Sequence, residues 1–342
     1  MIAFRGARRI PSRGRLTLFW RGRRVLVTGG CGFIGSHLVE ALLQQEAQVA
    51  VLGKYNSRSD AGFLRGVEAP GLTVRLGDVA DPWFVQSMAR GMDTIFHLAA
   101  LIGIPYSYAA PSQYVETNVK GTLAVLEAAR RETVRRVVHT STSETYGTAQ
   151  YTPIDENHPL VGQSPYSATK IAADKLAESY FLSFDLPVVT LRPFNTFGPR
   201  QSLRAVIPSL MAQALFADEI TVGALDPVRD MNYVSDTVAG FLGAAAADGV
   251  EGNVYNVGSG LGHTIGEILE QVRNVTGAGK PVRRVEERVR PAKSEVGRLI
   301  CDSSRAAAAF GYAPSVSLAQ GLAQVRDYLL AHPPDDSTDF RV

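Results

Sequence analysis

A doubly wound, parallel α/β sheet with a smaller C-terminal α/β lobe is the fold that this 342-residue sequence predicts. Three observations predict it. A β-turn-α-β pattern at residues 24–52 is interrupted by glycines 29, 32 and 35, spaced G-x-x-G-x-x-G. Strand and helix signals then alternate to about residue 193, as they do where parallel strands are joined by helical crossovers. A polar cluster, Thr142-Ser143-Glu144, directly follows one of those strands, and ligands of such sheets sit at strand carboxyl ends.

Residues 24–28 (RVLVT) form a short apolar run, β-branched at Val25 and Val27. Gly29, Gly32 and Gly35, the last two flanking Phe33 and Ile34, let the backbone approach a pyrophosphate. The helix that follows, to about residue 46, adds amide donors and a positive dipole end. The second strand, 49–52, runs into Gly53-Lys54-Tyr55-Asn56-Ser57-Arg58. An acid here normally binds the adenosine ribose of NAD. None precedes Asp60, and Lys54 and Arg58 suit a 2′-phosphate, so NAD or NADP stays open with a lean to NADP.

A third strand, 73–76, ends at Gly77-Asp78-Val79, where Asp78 can accept a bond from an adenine amine. A fourth, 94–98, ends with Leu98 and then Ala99-Ala100, small residues that let a cofactor lie close. Residues 111–132 read as a helix carrying Asn118, and 137–141 as the strand delivering the polar cluster.

The helix expected at 164–184 carries Tyr166 and Lys170, four residues apart and therefore on one face. A cation beside a phenol favours the phenolate, so Lys170 is expected to bring Tyr166 down toward a useful working pKa. The Thr142 hydroxyl would share the proton taken from a substrate alcohol. This is equipment for moving a proton off a carbinol while another group takes the hydride. Alone, the pair is a weak signal, because many helices hold a solvated lysine beside a half-buried tyrosine.

Apolar content of 45% and charged content of 20% suit a soluble globular protein. A net charge of +2 argues for neither nucleic acid nor a membrane surface, and no apolar run is long enough to span a bilayer. Two cysteines, Cys31 and Cys301, make no disulfide framework, so a cytoplasmic location is expected. No metal site is expected. The first 24 residues hold eight arginines and no acid, and residues 1–23 are expected to be a disordered basic extension. Past residue 193 helices are expected at 205–216, 233–247, 264–276 and 318–331, with a strand at 254–257. These form a substrate-binding lobe (194–331) partly interleaved with the dinucleotide-binding domain (24–193), followed by a disordered tail, 332–342.

Over about residues 24–330 the chain resembles the extended short-chain dehydrogenase/reductases, in their nucleotide-sugar epimerase/dehydratase branch. The resemblance rests on TGGCGFIG, GD, HLAA, NVKGT, STSETYG, YSATK, LRPFNTFGPRQ, RDMNYVSD and YNVGSG, in family order. It implies a Rossmann-type domain, a tightly held nicotinamide cofactor, a nucleoside-diphosphate sugar as substrate and a homodimer formed through helices 111–132 and 164–184. It makes Tyr166 the base for the sugar 4-hydroxyl, Lys170 the holder of the cofactor ribose and Thr142 the hydroxyl partner. Asn118 would sit beneath the site and Pro193 beside the cofactor. Asn195 and Arg229 are implied as diphosphate contacts, Arg290 as a nucleotide contact, and Arg200 and Asn256 as further substrate contacts. The plainer alternatives are an ion pair of Arg229 with Asp230 or Asp236 and a solvated Arg290.

Once C4 of the sugar is oxidised, the 4-keto group acidifies the C5 proton, and Glu144 is a carboxylate in the right segment to take it. Loss of water across C5–C6 and hydride return to C6 complete a 4,6-dehydration without net redox change. The order Thr-Ser-Glu resembles GDP-mannose and UDP- or GDP-N-acetylglucosamine 4,6-dehydratases, and YNSRSD resembles bacterial amino-sugar dehydratases. The dTDP-glucose 4,6-dehydratases carry an aspartate acid where Ser143 stands. Serine is a poor proton donor, which leaves protonation of the leaving hydroxyl to Glu144 or a water. A 4-epimerase and a UDP-glucuronate decarboxylase, which has a similar Thr-Ser-Glu motif, are the alternatives. A catalytically silent dinucleotide-binding protein is disfavoured by the presence of both Tyr166 and Lys170.

Overall fold

In the computed structural model, which describes residues 19–285 and 296–334, the expected alternation is realised. The first half runs β1 (Arg24–Thr28), α1 (Phe33–Gln44), β2 (Gln48–Lys54), β3 (Leu72–Gly77), α2 (Pro82–Ala89) and β4 (Thr94–His97). It continues with α3 (Ile104–Ala109), α4 (Pro111–Tyr114), a π-helical segment (Val115–Lys120), α5 (Gly121–Arg131), β5 (Arg136–Thr140), α6 (Pro165–Phe184) and β6 (Val188–Pro193). The second half holds β7 (Asn195–Phe197), α7 (Val206–Phe216), β8 (Ile220–Val222), β9 (Val228–Tyr233), α8 (Val234–Ala246) and β10 (Val254–Val257). It ends with β11 (Gly262–Thr264), α9 (Ile265–Thr276), β12 (Val282–Arg284), β13 (Arg298–Leu299), α10 (Ser304–Phe310) and α11 (Leu318–Ala331).

The main sheet has seven strands in the order β10-β6-β5-β4-β1-β2-β3, and every pairing in it is parallel. Strand order reverses between β1 and β4, so the crevice beyond their carboxyl ends is the natural ligand position. β1, β4, β5 and β6 are buried almost throughout, which is why they read as continuous apolar runs rather than alternating ones. α6 starts sharply: Ser164 and Ser167 form a reciprocal capping box, with Pro165 at the first helical position.

The second lobe is built on β9, flanked by β11, β13 and β7, with β8 and β12 paired beside it. Its core joins Leu210 and Met211 of α7, Ile268 and Val272 of α9, and Leu322 and Val325 of α11. The chain crosses back between the two parts. β10 extends the main sheet, and Phe241 of α8 and Phe310 of α10 share a core with Val27 and Val138.

The basic extension expected at 1–23 is not wholly outside the fold. Trp20 is fully buried, with its ring 5.7 Å from that of Phe96. Arg23 Nε donates to Phe19 O at 2.7 Å, and Arg21 pairs with Glu46 at 2.9 Å. One buried indole recovers enough apolar surface to order the arginines around it. Residues 1–18 and 335–342 lie outside the described residues. The helix expected at 111–132 is likewise modified, because its middle widens into the π-helical segment that carries Asn118.

Candidate active site

Two glycines of the first turn are required by the protein's own packing. Gly29 has φ +73°, and a Cβ on it would lie 2.8 Å from the Ala99 amide nitrogen. A Cβ on Gly35 would lie 2.3 Å from Gly29 O. Gly32 differs: it is the N-cap of α1, has no side-chain cap bond, and a Cβ would meet only Gly29 O, at 3.3 Å. The room above Gly32 and the uncapped amides of α1, including those of Phe33 and Ile34, therefore fit the pyrophosphate of a dinucleotide. The side chains of Phe33 and Ile34 pack on the second-lobe core.

Leu98, Ala99 and Ala100, which follow β4, are half-buried, and Val79, after β3, and Pro193, at the end of β6, are buried. Asp78 Oδ1 accepts the Ala80 amide at 2.9 Å. At the end of β2 Lys54, Ser57 and Arg58 are exposed and Asn56 is half-buried.

A chain of hydrogen bonds ties the turn to the catalytic helix. Thr28 Oγ1 accepts the Ala99 amide at 3.2 Å and bonds His97 Nδ1 at 2.8 Å. His97 Nε2 meets Thr122 Oγ1 at 3.0 Å, and that hydroxyl donates to Asn118 O at 2.6 Å. The pattern assigns the proton to Nε2 of a neutral imidazole, in line with burial holding His97 well below its ordinary pKa. Asn118 then brackets Leu101, accepting its amide at 2.8 Å and donating to its carbonyl at 3.0 Å, and donates to Thr169 Oγ1 at 3.1 Å. Asn118 is thus a strut beneath α6.

Thr142 caps the short 3₁₀ turn Ser143–Tyr146, its Oγ1 accepting the Glu144 amide at 3.3 Å. Thr142 and Glu144 are half-buried, while Ser143 is 2% exposed. Tyr166 packs among Ile104, Tyr114 and Leu101 and hydrogen-bonds to Thr142. Lys170 Nζ, one turn farther along α6, donates to Thr140 O at 2.5 Å. Tyr166, Thr142, Lys170 and Glu144 are brought together as expected, but the expected direction of the Tyr166 pKa is reversed. Burial raises the phenol well above its ordinary value; the Thr142 hydrogen bond pulls it down, and the Glu144 charge pushes it up further. Burial likewise lowers the Lys170 ammonium pKa, to about 8, against the pull of Asp174.

Asn195, which opens β7 just past the end of β6, presents a buried Nδ2 with no hydrogen-bond partner among the described residues. A buried amide donor left open in this way fits a ligand oxygen.

A family model described as GDP-mannose 4,6 dehydratase matches residues 26–325. The chain belongs to this family, the extended short-chain dehydrogenase/reductases that act as NAD(P)-dependent nucleotide-sugar dehydratases and epimerases. A dTDP-glucose 4,6-dehydratase of Actinoplanes sp. is 34% identical over 310 residues, covering 88% of this chain and 96% of the relative. A UDP-glucose 4-epimerase of Streptomyces lividans is 34% identical over 272 residues, covering 74% of this chain and 81% of the relative. The solved dTDP-glucose 4,6-dehydratase DesIV of Streptomyces venezuelae, with NAD bound, superimposes with a TM-score of 0.83 at 32% identity, covering 90% of this chain and 97% of that one.

Within this dehydratase/epimerase frame two of the expected substrate contacts are engaged by the protein's own groups. Arg200 has φ +71°, which turns its guanidinium back onto α1, where it donates to Ser36 Oγ at 3.1 Å and to Glu40 at 2.7 Å. Asn256 is fully buried, and both ends of its amide are occupied, by Tyr146 OH at 2.7 Å and Ile154 O at 3.1 Å. Arg229 is buried and donates to Val228 O at 3.1 Å. Asp230 accepts the Ser259, Gly260 and Cys301 amides, and Asp236 those of Ser315 and Val316. Arg290 lies outside the described residues.

The sequence reading missed a buried network behind Lys170. Asp174 accepts from Ser141 Oγ at 2.7 Å and from Arg192, and His139 Nε2 lies 3.1 Å away. Arg192 also reaches Tyr146 OH at 3.0 Å. The available signal was spacing, because Tyr166, Lys170 and Asp174 recur every four residues on one helical face.

Proposed function

We propose that this member of the family is a nucleotide-sugar 4,6-dehydratase. The observation that carries the proposal is Glu144, a carboxylate close enough to Tyr166 for its charge to raise the phenol's pKa and so to disfavour the phenolate that must receive the 4-hydroxyl proton. An epimerase gains nothing from such a carboxylate. A dehydratase needs one, because a second base must take the C5 proton.

Bound NAD(P)+ supplies the hydride acceptor for C4, a positive charge that favours the phenolate, and later the hydride for C6. Tyr166 and Thr142 take the 4-hydroxyl proton between them, and Lys170 supplies the nearby ammonium. Glu144 removes the C5 proton made acidic by the 4-keto group and returns a proton to the departing 6-hydroxyl, so that one water leaves and the carboxylate is restored. The burial of Ser143 supports giving both transfers to Glu144. The open Asn195 amide and Arg229 suit the diphosphate. The homodimer reading draws support from Leu123, Leu182 and Phe184, which α5 and α6 leave exposed.

Mass spectrometry after incubation with UDP-N-acetylglucosamine, GDP-N-acetylglucosamine, GDP-mannose, dTDP-glucose and UDP-glucuronate tests the reading. Loss of one water from a substrate is the expected result. Unchanged mass with altered retention would instead mean an epimerase, and loss of carbon dioxide a decarboxylase.

A further inference from the structure

Helix α1 serves both lobes. Its uncapped first turn suits the pyrophosphate, while Phe33 and Ile34 pack on the second-lobe core. One turn farther on, the same helix holds the chain that leads into that lobe. Ser36 Oγ accepts from Arg200 Nη1 at 3.1 Å and donates to Phe33 O at 3.0 Å. Glu40 accepts from Arg200 Nη2 at 2.7 Å. His37 Nε2 donates to Pro199 O at 3.1 Å, since a carbonyl can only accept. Arg200 makes its bonds from a left-handed backbone, φ +71°, which glycine adopts freely and a residue with a Cβ adopts at a cost. A side chain that is 22% exposed and bonded at two points is what holds it there.

The segment pinned in this way, residues 195–201, presents two open polar atoms. Gln201 closes it: its backbone amide donates to Gly198 O at 3.3 Å and its Nε2 to Thr196 O at 2.8 Å. The second bond fixes which way the side-chain amide faces. Its Oε1 is then buried with no hydrogen-bond partner among the described residues. Asn195 Nδ2, beside Thr196, is in the same condition. One short segment thus carries a buried acceptor and a buried donor that the described residues leave unsatisfied. Both are answered by a ligand that brings a donor and an acceptor of its own. A nucleoside-diphosphate sugar brings both, in its hydroxyls and its phosphate oxygens.

From this arrangement we infer that Arg200 is a positioning residue for the substrate and that Gln201 Oε1 accepts a hydrogen bond from a substrate hydroxyl. The inference rests on the reading of the substrate as a nucleoside-diphosphate sugar, and holds for water loss and epimerisation alike. Arg200 acts through Ser36 and Glu40 rather than by touching the ligand. It registers the segment bearing Asn195 and Gln201 on the helix whose first turn suits the dinucleotide. Without the guanidinium the segment is free to shift, and substrate binding weakens while the chemical step, built on α6 and the turn after β5, is untouched. The hydroxyl belongs either to the nucleoside ribose or to the hexose.

The test is calorimetric binding of UDP, GDP and dTDP, and of UDP-N-acetylglucosamine, GDP-mannose and dTDP-glucose, with steady-state kinetics on whichever sugar turns over. Arg200→Gly removes the guanidinium at a backbone angle that glycine adopts without strain, so the thermal midpoint should hold. Affinity should fall about tenfold, with KM rising to match and kcat within about twofold of the parent. Glu40→Gln/Arg200→Gly should bind no worse than Arg200→Gly alone, because the two side chains act as one unit. Gln201→Met removes the acceptor and should weaken binding about 3–10-fold. A loss already present with the nucleoside diphosphate places the hydroxyl on the ribose; one seen only with the complete nucleotide sugar places it on the hexose. Parental affinity in Arg200→Gly, or a fall of midpoint and kcat together, overturns the positioning role, and parental affinity in Gln201→Met overturns the contact; in each case the substrate reading stands. Binding of none of the six compounds by the parent overturns both.

Discussion

Asp174 accepts two hydrogen bonds from the guanidinium of Arg192, at 2.8 and 3.2 Å, in a pair whose side chains are each 4% exposed. Despite burial, the hydrogen bond from His139 and the charge of Arg192 hold the Asp174 carboxyl down at about 2. The folded value lies below the unfolded one of about 3.9. The pair's contribution is therefore complete above about pH 4 and is lost as pH falls toward 2. Asp174→Asn leaves a buried guanidinium uncompensated and should lower stability by about 3–5 kcal/mol at neutral pH. Urea titrations should show that gap closing below about pH 4, and a gap that stays constant into acid would contradict the assignment.

The same carboxylate acts on Lys170. Burial lowers the ammonium pKa to about 8, and Asp174 pulls it back up. The charged form is thus present below about pH 8 and disappears above it. Removing Asp174's charge should move the alkaline limb of the turnover profile to lower pH. A merely structural role would reduce turnover evenly across the profile, so the displacement of that limb is the diagnostic reading.

The glycine-rich turn separates packing from ligand space. Gly35→Ala drives a methyl to 2.3 Å from Gly29 O and 2.7 Å from Gly30 Cα, and overpacking against backbone costs about 1–3 kcal/mol. Gly32→Ala meets only Gly29 O, at 3.3 Å, so the fold should persist. Its methyl would stand in the space suited to the pyrophosphate. Thermal melting should fall for Gly35→Ala, and dinucleotide retention should fall for Gly32→Ala with little change in melting.

What could be read from the sequence follows from which forces are local. β10 and α11 were bounded correctly at 254–257 and 318–331 because their apolar residues recur with the period of their own element. β9 (VRDMNY) was not seen, since Arg229, Asp230 and Asn232 look like surface residues. They are buried only because distant groups satisfy them: Ser259, Gly260 and Cys301 for Asp230, and Thr237 and Tyr312 for Asn232. Trp20 was hidden by its arginine neighbours for the same reason. Tyr166, Lys170, Thr142 and Glu144 were found through their spacing and motifs. The direction of the Tyr166 pKa was not, because it depends on burial beneath Tyr114 and Ile104, elements that only the tertiary fold supplies.

Glu144→Gln gives the sharpest separation between water loss and epimerisation. The side chain is half-buried in a turn held by Thr142 through the backbone, so an isosteric amide should leave the fold intact. The substitution removes a charge that pushes the Tyr166 pKa up, so the phenolate that receives the 4-hydroxyl proton should form more readily. The C5 proton, however, loses its acceptor, and the leaving hydroxyl its donor. In a dehydratase, water loss should then fall by about 10²–10⁴-fold while reduced nicotinamide and 4-keto sugar accumulate in a single turnover, seen by absorbance and mass. An epimerase would instead keep or raise its turnover in the same variant. That outcome would refute the dehydratase reading while leaving the roles of Tyr166 and Lys170 in place.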